Sequence, residues 1–197
     1  MKRFLLLSIS ILLTIKVLGQ QNISFGLIGP GFDFGGRVNS AIYETMPGED
    51  KVLIMEPGFR LGVELYATPA TSFKFVQAFR IDCMRKMAFS TQIMIRFRLF
   101  KVYKHSLSFG FGPTAFYRQT WANIPGYTDE KLYKGKDMQH TINWVSAELE
   151  YNYVISKYND LSFCVTHQNP DAMGFAIGLK HWFTRKSNKC STCPSFK

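Results

Sequence analysis

GFRLGVELYATPATSFKFVQAFRID, residues 58–82, is the stretch that decides the fold. Phe59, Leu61, Val63 and Leu65 alternate with Arg60, Gly62, Glu64 and Tyr66. After the turn residues ATPATS, Phe73, Phe75, Gln77, Phe79 and Ile81 alternate with Lys74, Val76, Ala78, Arg80 and Asp82. A period of two belongs to strands, whose successive side chains point to opposite faces; a helix returns to the same face every three or four residues. The stretch reads as a β-hairpin with one apolar and one largely polar face.

The same period continues in both directions. Phe89, Thr91, Ile93, Ile95, Phe97 and Leu99 alternate with Ser90, Gln92, Met94, Arg96 and Arg98. Further strands are expected over 21–34, 106–121, 142–153, 161–167 and 174–183, which makes about eight, the smallest number usual for a membrane barrel. The connections alternate in length. Short turns fall at 67–72, 100–105 and 155–160, and the opposite set, at 37–51, 82–87, 121–140 and 168–173, contains two long loops. Short inner turns with longer outer loops are the asymmetry of outer-membrane barrels. The expected fold is all-β, a closed antiparallel up-and-down transmembrane β-barrel.

The chain ends frame this domain. Residues 1–19 have a basic start (Lys2, Arg3), the apolar run FLLLSISILLTI and small Gly19, the pattern of a signal peptide cleaved before Gln20. The run is shorter than the roughly 20 apolar residues a membrane helix needs. Residues 20–183 form the expected barrel domain, and 184–197 a basic tail carrying Cys190 and Cys193. Of the formal net charge of +10, the leader carries Lys2, Arg3 and Lys16, and the tail carries Arg185, Lys186, Lys189 and Lys197. The modest surplus left on the body forms no basic stripe, which argues against nucleic acid as a partner. The mean hydropathy of −0.06 fits a membrane barrel, in which outward apolar and inward polar residues cancel.

The last strand, GFAIGLKHWF at 174–183, places Phe175, Ile177, Leu179, His181 and Phe183 on one face. With Gly178 and the closing Phe183 it resembles the terminal assembly signal of bacterial outer-membrane β-barrels, and the resemblance implies recognition by the barrel assembly machinery. It departs from that pattern at His181 and in the tail beyond Phe183. A second stretch, THQNPDAMGFAIGLKHWF at 166–183, is similar to the end of the lipid A deacylase barrels. That resemblance implies a catalytic His167 beneath an Asn-Pro loop. The family's His-x-Ser is here His167, Gln168, Asn169, so the nucleophile is missing.

If the apolar faces look at lipid, the interior receives Arg60, Glu64, Lys74, Arg80, Asp82, Gln92, Arg96, Arg98, Arg118, Glu148, Glu150 and Lys180. A charge facing lipid costs about 2–4 kcal/mol near the midplane, so the membrane permits this parity and not its reverse. A barrel of about eight strands is filled by such side chains and leaves no wide channel. Glu148 and Glu150 share a face and read as ion-pair partners of the arginines rather than as an acid–base couple. Trp121, Tyr127, Tyr133 and Trp144 flank the long loop at 121–140 and read as an interfacial belt or a recognition surface.

Other chemistry is thin. His105, His140, His167 and His181 form no metal-binding pair with each other or with a cysteine. Cys190-x-x-Cys193 has neither the βαβ context of a redox motif nor a second ligand pair. Cys83 and Cys164 are expected on opposite faces. Gly29, Gly31, Gly35, Gly36, Gly110 and Gly112 belong to no phosphate loop and read as positions of close packing or curvature. No cofactor or metal is expected. The expected partners are outer-membrane lipid and lipopolysaccharide, the assembly machinery, and an envelope protein. The function expected is a non-enzymatic, structural or interaction role through the outer loops. The alternatives are a deacylase-like hydrolase and a soluble periplasmic barrel that holds an apolar ligand inside.

Overall fold

The period of two is realised as eight strands, each bonded to the next. The computed structural model describes residues 21–33, 39, 42, 53–128, 133–169 and 172–183. Its strands are β1 (Gln21–Asp33), β2 (Leu53–Tyr66), β3 (Thr71–Ile81), β4 (Met87–Val102), β5 (His105–Gln119), β6 (Met138–Val154), β7 (Asn159–Asn169) and β8 (Ala172–Trp182). All neighbours are antiparallel and β1 also pairs with β8, so the sheet closes. Closure lets every strand find backbone partners on both sides, which a hydrocarbon environment demands. The leader and the Cys190/Cys193 tail lie outside the described residues.

The two faces separate cleanly. Phe25, Leu27, Phe59, Phe73, Ile93, Phe97, Ile177 and Leu179 are exposed on the outer wall, while Glu64, Lys74, Gln92, Arg96, Glu148, Glu150 and Lys180 are each at most 2% exposed inside. Apolar residues out and charges in is the arrangement of a barrel whose solvent is lipid. A soluble barrel with an apolar interior is thereby overturned. Aromatic rings on the wall meet across strands: Phe59 and Phe79 stack with centroids 5.0 Å apart, and Phe79 meets Phe89 edge-on at 5.5 Å.

Both long connections fall at one end of the barrel. The connections of the other end span 67–70, 103–104 and 155–158, and those of this end 34–52, 82–86, 120–137 and 170–171. Two short turns use the same device. The Thr68 hydroxyl accepts from the amides of Ala70 and Thr71, and that of Ser156 from the amides of Tyr158 and Asn159. The end with the long loops is the outer end.

Two places interrupt the ladder. Opposite Pro113, between the pairs Gly112↔Ser146 and Thr114↔Asn143, β6 carries both Trp144 and Val145, and both project outward, 74% and 73% exposed. Proline donates no ladder bond, so β6 bulges there. In β1 the register shifts at Gly29 and Pro30 against both β2 and β8.

Candidate functional site

Three acids and four cations form a network in the middle of the interior. Glu64 accepts from Arg96 Nη1 at 2.7 Å, Lys180 Nζ at 3.1 Å, Ser72 Oγ at 2.6 Å and Asn22 Nδ2 at 3.0 Å. Glu148 takes Lys74 Nζ at 2.7 Å and also Arg60. Glu150 takes Lys74, Lys180 and, at 3.3 Å, Arg96 Nη2. These carboxylates come from β2 and β6, and their cations from β2, β3, β4 and β8, so the network ties distant parts of the wall together across the barrel.

Small residues make room for it. A Cβ at Gly110 would lie 2.7 Å from the Arg96 Cγ, and one at Gly26 would lie 3.2 Å from that of Arg60. Glu148, Glu150 and Cys164 place ligand atoms within 4.8 Å of one another, a spacing an ion could use. Their carboxylates are already engaged by cations, which makes the group an ion-pair network. Cys164 faces this interior and donates its thiol to Glu150, while Cys83 is buried near the outer mouth. The expectation that the two cysteines fall on opposite faces is corrected, because Cys83 lies beyond the end of β3, where alternation no longer applies.

At the outer end the side chains change character. Trp121 is 2% exposed, packs with Ile54, Cys83 and Met84, and donates its Nε1–H to Asp82 Oδ2 at 2.8 Å. Arg118 lies between two rings, its guanidinium carbon 3.6 Å from the centroids of both Trp121 and Tyr133, and its Nε donates to Gln139 Oε1 at 2.9 Å. Tyr127 packs edge-on against Trp121, and its hydroxyl accepts from Gln139 Nε2 at 3.2 Å. Arg80 sits over Phe116 at 4.7 Å and pairs with Glu56 at 3.0 Å. Burial pushes the Asp82 carboxyl above its ordinary range, against the pull of hydrogen bonds from Lys86 N, Trp121 and Met84 N.

The four aromatic residues singled out by sequence do not form one surface. Trp121 and Tyr133 are buried, Tyr127 is half-buried, and Trp144 stands apart on the lipid-facing wall at the β6 bulge. Arg98 lies at the other end of the interior, with its guanidinium 5.0 Å from the Tyr66 ring. Sequence reasoning missed Asn39. Its side chain donates to Thr128 O at 2.9 Å and accepts from Thr128 N at 2.8 Å, imitating a strand pair between the β1–β2 and β5–β6 loops.

No protein-family description matches the chain, and no curated protein is detectably similar to it in sequence. Solved structures do match in shape. Neisserial surface protein A superposes with a TM-score of 0.53 at 8% identity, over 82% of this chain and 96% of that one. OprG from Pseudomonas aeruginosa gives 0.54 at 9% identity, over 85% and 98%. Ail, the attachment invasion locus protein of Yersinia pestis, gives 0.50 at 12%, over 84% and 99%. The fold is that of a small outer-membrane β-barrel.

The deacylase resemblance gains nothing from this barrel. His167 lies on the outward side of β7, directly across from Ala147 on β6 and Met173 on β8. Neither of these two residues carries a hydroxyl, so neither supplies the nucleophile that the resemblance would need.

Proposed function

We propose that this outer-membrane barrel is non-enzymatic and acts at its outer face, through its loops, on the anionic head region of lipopolysaccharide. The observation that carries the reading is the filled interior. A network of seven buried charged side chains leaves no channel for solutes, so activity belongs to the ends. The outer end is the one prepared for contact. There Asn39 is hydrogen-bonded to Thr128, Ile42, Ile124 and Tyr127 pack against the Trp121 cluster, and Arg85, Lys134 and Lys136 are exposed. Cations held on a rigid frame suit phosphate groups. An envelope protein that bears an acidic surface would use the same cations.

The test is binding of purified lipopolysaccharide to the barrel in nanodiscs, compared with a variant carrying Arg85→Glu, Lys134→Glu and Lys136→Glu. The variant is expected to lose at least tenfold in affinity while keeping the shifted migration of an unheated barrel on a denaturing gel. Equal affinity in the two proteins would overturn the reading.

A further inference from the structure

His181, where the last strand departs from the terminal assembly pattern, belongs to a patch on the lipid-facing side of the inner rim, the end opposite the long loops. Toward that rim the outward residues change in kind. Leu149 is followed by Tyr151 and Tyr153 on β6, Leu107 by His105 on β5, and Leu179 by His181 on β8. Aliphatic side chains giving way to rings with polar edges is the order a bilayer selects where its tails meet its headgroups. The rings are joined along the rim. His105 Nδ1 and the Tyr151 hydroxyl are 2.5 Å apart, and the centroids of the His105 and Tyr153 rings 5.3 Å apart. His181 Nδ1 lies 2.8 Å from Asn159 Oδ1, and its ring 6.4 Å from that of Tyr158.

Two lysines stand at the edge of this belt. Lys104 is in the turn 103–104 and Lys157 in the turn 155–158, and both turns meet the end of β6, where the Val154 amide donates to the Lys104 carbonyl at 2.8 Å. Both lysines are exposed, and Lys157 Nζ lies 5.2 Å from the centroid of the Tyr158 ring. Lys101, exposed near the end of β4, adds to the same sign. The acid next to this belt, Asp160, is 1% exposed and accepts from Trp182 Nε1 at 2.6 Å. Among the described residues the one exposed acid is Asp137, in the outer loop 120–137. The turn 67–70, elsewhere on the rim, carries no charge, so the cations occupy one sector of it. An ammonium group suits phosphate as a point charge, and basic residues at headgroup level draw anionic lipid.

We propose that this sector of the inner rim binds an anionic phospholipid of the periplasmic leaflet, with its phosphate held by Lys104 and Lys157 and its glycerol against the polar edges of Tyr151 and Tyr158. Binding involves no covalent step. The site lies at the other end of the barrel from the loops, and it does not depend on whether they contact lipopolysaccharide.

The full barrel in detergent micelles is titrated with dioleoylphosphatidylglycerol and, separately, with dioleoylphosphatidylcholine, and bound lipids are counted by native mass spectrometry. The two lipids share their tails and a phosphate and differ in net charge. The parent protein should bind its first phosphatidylglycerol at least fivefold more tightly than its first phosphatidylcholine. With Lys104→Gln and Lys157→Gln together, that preference should fall to less than half its parent value, because the rings remain while the cations are gone. Heat-shifted migration checks that the variant is folded, and if it fails that check, the two single substitutions are read by the same criterion. A parent preference below fivefold would overturn the proposal, and lysine-dependent retention on purified peptidoglycan in that case would assign the rim to the cell wall instead. A preference that stays above half its parent value in the folded variant would also overturn it, because the phospholipid would then be held elsewhere on the barrel.

Discussion

In the middle of the barrel, charged side chains satisfy one another; at the outer mouth, aromatic rings clamp two arginines around open space. Both regions bury guanidinium groups, and they do so by different means. Arg96 meets carboxylates from β2 and β6, so its charge is matched within the wall. Arg118 meets ring faces and an amide oxygen. A cation–π contact holds a cation on the electron-rich face of a ring. The comparison teaches that buried guanidinium groups are held by carboxylates in the middle of the barrel and by ring faces at its mouth.

The largest effect that separates the two regions comes from removing an acid of the middle. Glu150→Ala strands Lys74, Lys180 and Arg96 around a lost partner, and breaking a buried ion pair costs about 3–5 kcal/mol. Denaturant-dependent refolding into vesicles should show a loss of that size. Small losses there would mean that the interior charges are hydrated rather than mutually bound. On the wall, Ile93→Arg places a charge where lipid is expected and should cost about 2–4 kcal/mol in the same assay. An unchanged midpoint would contradict the assigned faces.

At the mouth, the effect is smaller and depends on pH. Because burial raises the Asp82 carboxyl above its unfolded value, its folded form binds the proton more tightly. Its contribution to stability is therefore fully present below the ordinary carboxylate range and is lost as pH rises through the raised value. Asp82→Asn removes the titrating proton, so it should flatten this part of the pH dependence; its single oxygen accepts either from Trp121 or from the Met84 and Lys86 amides, so the mouth should be less stable at neutral pH. Hydrogen exchange of the Met84 and Lys86 amides checks it, and a dependence that survives the substitution would assign it to another group. The smallest expected change is Gln92→Leu. Both amide atoms of Gln92 are buried without a protein partner, so an apolar replacement should move the refolding midpoint by no more than about 1 kcal/mol.

Much of this architecture can be read from alternation alone. Gly58–Tyr66 and Phe73–Ile81 pair as the period requires, with Phe59 opposite Phe79 and Glu64 opposite Lys74. The same parity carries Arg60, Arg96, Glu148 and Glu150 inside, because only two faces exist. It does not say which acid meets which cation. Arg60 reaches Glu148, eighty-eight positions away, and that pairing depends on how the strands are staggered around the closed barrel. The start of β2 at Leu53 was hidden, because LIMEP does not alternate and ends at a proline beside a register shift. The mouth was the least legible region. Trp121, Tyr133 and Cys83 lie beyond strand ends, where period carries no information and packing between loops decides burial.

The central claim is that this outer-membrane barrel is sealed by its own interior. Its most direct test is the ion conductance of the purified protein in a planar bilayer, using a preparation whose heat-shifted migration shows it folded. The account predicts no conductance above that of the bare bilayer. A steady, ohmic current would mean that the charged middle is an open path rather than a seal.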